Sequence, residues 1–289
     1  MANWREIIKE NMSMKDLNTF KLETKVKFYA KPNNLGELKN IIKFAKNKNL
    51  KIFILGNGSN IIFRKIFYND LLIIDMKNFN KIHIHEKKLI AQSGVKSSML
   101  LNYCIKNEIS GFEFLAGIPG TIGGMIKMNA GAFGNSISEI LEEMIVLNIE
   151  NLNEEILNKQ NLDFKYRKVL GLENRIIIKA IFSFKKDERE NIKKKIKDFI
   201  LSRKQRQPSG FSAGSIFKNP ENKFAGKLIE ECGLKGFTIN DAYVSNKHAN
   251  FIINKGNAKG EDVLKIINVI KKKVLEQTGI ELEEEVIIV

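Results

Sequence analysis

The sequence predicts an α+β protein of two domains, and three observations carry that reading. The 289 residues exceed the usual span of one domain, and 43% of them are apolar, ample for a sizeable core. Through residues 1–190, short apolar runs of strand character alternate with amphipathic helical segments. Beyond them come two long amphipathic helices and a loop rich in glycine and serine, so the domain boundary falls near residues 186–200.

Taken in order, VKFYA (26–30) reads as a strand, and LGELKNIIKFAKNKNL (35–50) as a surface helix with Leu38, Ile41, Ile42 and Ala45 on one face. KIFILGNGSNIIF (51–63) gives two apolar runs around a tight glycine turn. LLIIDM (71–76), KIHIH (81–85), KLIAQSG (88–94) and RIIIKAIFSFK (175–185) have strand character, and SSMLLNYCIKNEIS (97–110) predicts a helix ending before Gly111. ERENIKKKIKDFILSRKQRQP (188–208) places Ile192, Ile196, Phe199 and Ile200 at helical spacing. Lys193–Lys195 then form its solvated face, and Pro208 closes it. EDVLKIINVIKKKVLEQTG (261–279) is a further helix ending at Gly279, and LEEEVIIV (282–289) a terminal strand.

Composition narrows the classes. No apolar run is long enough for a membrane span, and the charged start MANWREIIKENMSMKD has no signal-peptide core. Cys104 and Cys232 lie far apart and suggest no disulfide framework, so a cytoplasmic, reducing setting is expected. The formal net charge of +15 raises nucleic acid as a partner, but 41 of the 48 basic residues are lysines spread along the chain. Base readout favours arginine, and a diffuse lysine field suits an anionic small molecule better. His83 and His85 share one strand face without further ligands, so no metal is expected.

Two glycine clusters carry chemistry. GNGSN (56–60) sits between apolar runs, where Asn-Gly signals a hairpin and equally suits an anion cradle of backbone N–H groups with Ser59 and Asn60. It lacks the G-x-G-x-x-G spacing, since Ile61 stands where the third glycine belongs. GFEFLAGIPGTIGGMIKMNAGAFG (111–134) interleaves glycines with small and apolar residues, a composition that can wrap a large planar cofactor. In FSAGSIFKNP (211–220), Ser212 and Ser215 have no obvious histidine base in a chain with only three histidines, which argues against a nucleophilic serine.

The ordered set LGNGSN (55–60), AGIPGTIGG (116–124), NAGAFG (129–134), YRK (166–168), SAGSIFKNP (212–220), AGKLIEECGLKG (225–236), HANFIIN (248–254) and LEEEV (282–286) resembles the UDP-N-acetylenolpyruvoylglucosamine reductase family along nearly the whole chain. The resemblance implies an FAD-binding domain of the vanillyl-alcohol-oxidase/PCMH type over 1–190, in two α/β subdomains of about 1–65 and 66–190. A smaller α+β substrate domain would span 191–289, with strand 282–289 returning to the active site. It implies reduction of UDP-N-acetylglucosamine enolpyruvate to UDP-N-acetylmuramate for peptidoglycan. NADPH would reduce the bound FAD, and hydride would then pass to the enolpyruvyl double bond on the same flavin face. Another FAD-dependent oxidoreductase on this scaffold and a basic nucleic-acid-binding protein are the alternatives.

The same resemblance implies roles residue by residue. Gly56, Asn57, Gly58, Ser59 and Asn60, then Gly117, Ile118, Pro119, Gly120, Ile122, Gly123 and Gly124, then Asn129, Gly131 and Ala132 would hold FAD. Ser215 would protonate the carbon next to the substrate carboxylate, a task that needs a positioned hydroxyl and no histidine. Arg167 would face that carboxylate with its planar fork, Tyr166 beside it, and Glu285 would orient the enolpyruvyl group. Strand alternation alone leaves Glu283 and Glu285 equivalent; the motif selects Glu285. Arg206, Lys218 and Asn219 would hold the diphosphate, and His248 would be structural. Val169 replaces the serine usual after YRK, and the segment before SAGS is short and lacks tyrosine, so the chain resembles the type without a tyrosine loop. A monomer is expected.

Overall fold

The computed structural model describes residues 7–289. The charged residues 1–6 read above lie outside them. The described chain divides into two compact units of interleaved segments: one holds residues 7–9, 28–57 and 70–203, the other 10–27, 58–69 and 204–289.

The first unit has two layers of apolar packing. A five-stranded antiparallel sheet runs in the order Glu154–Asn158, Leu141–Asn148, Arg175–Phe182, Lys88–Gln92, Ile82–His85. On one side it shares a core with helices Ser97–Lys106 and Ile122–Lys127, through Leu100, Cys104, Ile122, Ile126, Ala180 and Phe182. Leu147, Ile176 and Ile178 belong instead to a second core with helix Leu35–Asn47. That helix buries Leu38, Ile41, Ile42, Phe44 and Ala45, and Asn34 caps it by accepting from the Glu37 amide at 2.9 Å. Lys51–Leu55 pairs in parallel with Leu71–Asp75 at its side.

The second unit gathers its core from all three of its segments, including Phe20, Leu22, Ile62, Ile216, Phe217, Leu228, Ile252, Ile267 and Val286. Helices Ala225–Glu231 and Gly260–Thr278 pack with the small antiparallel sheet Thr238–Ile239, Ala242–Val244, Ile252–Asn254. Gly279 ends the long helix with φ +70°, and its amide donates to the Leu275 carbonyl.

The coarse α and β assignments hold, with three differences. The helix read over 97–110 stops at Lys106, because the Asn107 side chain turns back on the Tyr103 carbonyl and Glu108 takes φ +56°. Ile109–Ser110 then pairs with Lys185–Lys186. The two apolar runs of 51–63 form no hairpin: one joins Leu71–Asp75, and Ile61–Ile62 pairs in parallel with Ile287–Ile288. Hydrogen-bonded strand character at the end of the chain is limited to Ile287–Ile288, although Glu284 bridges to Phe217. Among the described residues no helix is long and apolar enough to cross a membrane, and no group of three or more metal-ligating side chains occurs.

Candidate active site

In the first unit, Gly56 and Asn57 lie against the loop Ala116–Gly120 and the residue after it. The Asn57 side chain donates to the Pro119 carbonyl at 2.7 Å, locking the GN turn to the IPG turn. At Gly56 a Cβ would sit 2.5 Å from Thr121 Oγ1, so glycine lets this backbone lie against the Thr121 side chain. A Cβ on Gly123 would sit 2.9 Å from Ser93 Cβ, and the Ser93 carbonyl accepts the Gly123 amide at 2.8 Å. Ile122 is buried at the start of the short helix that follows, while Ile118 and Gly120 accept from the Ser97 hydroxyl and amide. A cleft of about 430 Å³ opens here, walled by Asn57, Ala116–Gly120, Leu101 and Ile200.

Four buried polar atoms among the described residues lack a hydrogen-bond partner: Ser93 Oγ, Thr121 Oγ1, Asn129 Oδ1 and Arg203 Nη2. Buried polar groups are nearly always paired, so orphans concentrated at one glycine-rich locus mark a surface built for a polar ligand. Thr121 is the more telling for standing at a helix N-cap without using its hydroxyl there. Asn129, at φ +39°, donates through its amide to the Lys165 carbonyl, tying the NAGAFG loop to the YRK hairpin.

Tyr166 and Arg167 form the two-residue turn between Asp163–Lys165 and Lys168–Leu170. Arg167 adopts φ +57°, a left-handed conformation that the tight turn between the two strands imposes. Its Nη2 donates to the Gly131 carbonyl at 3.2 Å, and the guanidinium lies 5.0 Å from the Tyr166 ring centroid. Ala132 pairs with Asn135 in the hairpin that Gly131 opens; a Cβ on Gly131 would meet the Asn135 carbonyl at 2.8 Å. Val169 is buried in the core beside Leu162, Phe164 and Leu172, so the position of the missing serine serves packing here.

In the second unit, Ser215 lies on a segment clamped on two sides. It bridges to Phe251, and Asn250 holds the Phe217 amide and carbonyl at 2.9 and 2.8 Å. On the other side the Glu285 amide donates to the Ile216 carbonyl at 2.7 Å and Phe217 bridges to Glu284, so the serine and glutamate segments run antiparallel as neighbours. Asn60 joins them by donating to the Glu285 carbonyl at 3.0 Å. Gly58, two residues before, has φ +66° and faces Leu17: a Cβ would be 2.1 Å from its carbonyl oxygen. Ser59, half-buried, sits between them.

Two of the three neighbouring glutamates are in ion pairs: Glu283 with Lys218, and Glu284 with Lys271 at 3.0 Å. Asn219 accepts the Ala225 amide at 3.1 Å, so it also fixes the start of helix Ala225–Glu231. Arg206 is exposed at the end of helix Arg189–Arg206. His248 packs edge-on to Phe251 and accepts the Asn250 amide on Nδ1 at 3.2 Å; burial lowers its pKa, and the neutral ring is a structural part.

Residues 26–150 match the family description "FAD binding domain", and residues 206–289 match "UDP-N-acetylenolpyruvoylglucosamine reductase, C-terminal domain". The UDP-N-acetylenolpyruvoylglucosamine reductase of Clostridium novyi is 41% identical over 288 residues, covering 99% of this chain and 93% of that protein. The chain belongs to the UDP-N-acetylenolpyruvoylglucosamine reductase family. The reductase of this name from Aquifex aeolicus is 38% identical over 96% of the chain. A crystal structure of the reductase from Thermus caldophilus superposes with a TM-score of 0.82 at 29% identity, over 96% of this chain and 97% of that one. A cholesterol oxidase matches at TM-score 0.50 and 16% identity over 63% of this chain, which shows a shared fold alone. The fold is thus the α+β, PCMH-type FAD-binding architecture with the C-terminal domain of this reductase family.

As a flavoprotein of this family, the chain should offer FAD a fitting site, and its residues do. The orphaned Ser93, Thr121, Asn129 and Arg203 atoms and the Gly56 contact lie on the expected motifs or beside them. Sequence reading missed Ser93 and Arg203, and quoted Thr121 without singling it out. Thr121 was visible inside AGIPGTIGG. Arg203 lies four residues after Phe199 and seven after Ile196, on the apolar side of a helix read as amphipathic, and that spacing is the signal that could have found it.

Proposed function

We propose that this reductase converts UDP-N-acetylglucosamine enolpyruvate to UDP-N-acetylmuramate at the expense of NADPH, with Ser215, Arg167 and Glu285 as its catalytic groups. The observation that carries the residue roles is the antiparallel pairing of the Ser215 and Glu285 segments, which fixes an acid and a carboxylate on one backbone frame. Gly56–Asn60, Gly117–Gly124 and the Asn129–Ala132 loop would hold FAD through close backbone approach and N–H donors. When bound, it would supply the two-electron hydride chemistry that links NADPH to the methylene carbon of the enolpyruvyl group.

Charge then builds on the substrate carboxylate, which the fixed Arg167 fork stabilises. The Ser215 hydroxyl gives its proton to the adjacent carbon and recovers one from solvent. A hydroxyl this weakly acidic suffices because its acceptor is strongly basic. Glu285 orients the enolpyruvyl group and assists the proton step. Lys218, Asn219 and Arg206 hold the diphosphate, with Tyr166 beside the carboxylate arginine. Two free, buried cysteines fit a cytoplasmic enzyme, and we assign it as a monomer.

The test is an anaerobic spectrum of the purified protein with NADPH, followed by the UDP-enolpyruvyl sugar. The flavin band should bleach and then recolour. Bleaching without recolouring would retain a flavin oxidoreductase and discard the substrate. A colourless protein that ignores FAD yet is retained on DNA in a salt-dependent way would replace the reading with nucleic-acid binding.

A further inference from the structure

Arg203 is held as a fixed cation without a counter-charge among the described residues. It leaves helix Arg189–Arg206 near its end, and its Nε donates to the Ala116 carbonyl at 2.8 Å. Its guanidinium lies 5.3 Å from the Phe133 ring centroid, and that ring is stacked on Phe199 at 4.2 Å. Gly117, at φ +76°, makes room for the side chain: a Cβ there would come within 2.7 Å of Arg203 Cδ. So two contacts from AGIPG and one from NAGAFG, its ring backed by Phe199 of the same helix, determine where this charge stands.

What they leave over is Nη2, enclosed and without a hydrogen-bond partner. Among the described residues no carboxylate pairs with Arg203. The charge nearest in effect is the like charge of Arg167, which, after burial, lowers its pKa further. A partly buried cation beside another cation, with a donor unused, is an unfavourable arrangement unless an anion completes it. Arginine is also the side chain that stays charged in such a place, so the site cannot escape by deprotonation.

We propose that Arg203 is a cofactor-binding residue whose free Nη2 edge receives an anionic group of FAD. The proposal rests on the FAD reading above. FAD carries two such groups: its diphosphate, charged always, and its ring system, which gains negative charge on two-electron reduction. Both would satisfy the orphaned donor, and they are separable by experiment.

Arg203→Met keeps much of the stem and removes the charge; Arg203→Lys keeps charge and loses the planar fork. Each holoenzyme is examined beside the wild type for flavin release on serial dilution and for its two-electron midpoint potential in a dye-equilibrated titration. If Nη2 meets the diphosphate, Arg203→Met weakens oxidised and reduced FAD alike, by about tenfold or more, as expected for a charge-assisted bond. If it meets the reduced ring, the loss falls on reduced FAD, and a tenfold selective loss appears as a fall of about 30 mV. In either case Arg203→Lys should recover part of the effect. Unchanged FAD retention and potential in a folded Arg203→Met protein would overturn the assignment and leave a structural arginine. If the methionine variant does not fold, the lysine variant decides: wild-type retention and potential in it, with its fork gone, would equally overturn the proposal. A wild-type protein that binds no FAD would sink the functional reading itself, a result distinct from any failure confined to Arg203.

Discussion

Single side chains carry the sharpest expectations. Ser215→Ala should leave flavin bleaching by NADPH nearly intact and slow recolouring by the enolpyruvyl sugar about 10²–10⁴-fold, the usual worth of a positioned acid. Stopped-flow measurement of the two half-reactions checks it; equal losses in both would make Ser215 a folding or binding residue. The glycines of one motif should behave differently from each other. Gly56→Ala presses on the Thr121 hydroxyl, a side-chain atom, and should cost FAD retention while the fold persists. Gly58→Ala presses on the Leu17 carbonyl at positive φ, and should cost at least about 2 kcal/mol in urea denaturation. Arg167 shows what a motif hides: YRK named the residue, but its left-handed backbone depends on the turn that the flanking strands close.

Among elements, the segment running from His248 into Ile252–Asn254 ties stability to pH. Burial lowers the His248 pKa, so the folded state favours the neutral ring that accepts the Asn250 amide. The unfolded chain then binds the extra proton first. Stability should be full above the ordinary histidine value of about 6.5 and decline as pH falls from there toward the lowered folded value. Urea midpoints at pH 7.5 and 5.5 measure the slope, and His248→Asn should flatten it. The helix Gly260–Thr278 offers a simpler case: Gly279→Ala forces a Cβ into φ +70° and should cost about 1 kcal/mol. These elements were legible in advance, because apolar spacing marks a helix face and glycine marks its end. The Asn107 stop was not, since Asn and Glu at 107–108 spell no terminator until Ile109 finds its pairing partner.

At the scale of the molecule, the net charge of +15 is a property of the field. Both substrates are anionic, so raising ionic strength should raise KM for NADPH and for the UDP sugar with little change in kcat. Screening shortens from about 30 Å at 0.01 M salt to about 8 Å at 0.15 M. A KM flat across that range would show that steering by the diffuse lysine field contributes nothing.

The sequence by itself determined the α+β class, the family and the motifs, because backbone approach to a cofactor demands glycine at fixed spacing and proton transfer demands named side chains. Which backbone groups those residues meet was decided only by tertiary structure. Ile61–Ile62 pairs with Ile287–Ile288 across more than two hundred residues, and Asn60 reaches the Glu285 carbonyl over a similar separation. No local pattern encodes such pairings. The interleaving of 10–27 and 58–69 with 204–289 in one unit is likewise invisible to composition, since Phe20, Leu22 and Ile62 look like any apolar residues until they share a core with Phe217 and Val286. Arg203 is the plainest instance. Its helix reads as amphipathic, and only the packing of Ala116, Gly117 and Phe133 around the guanidinium shows that this charge is enclosed.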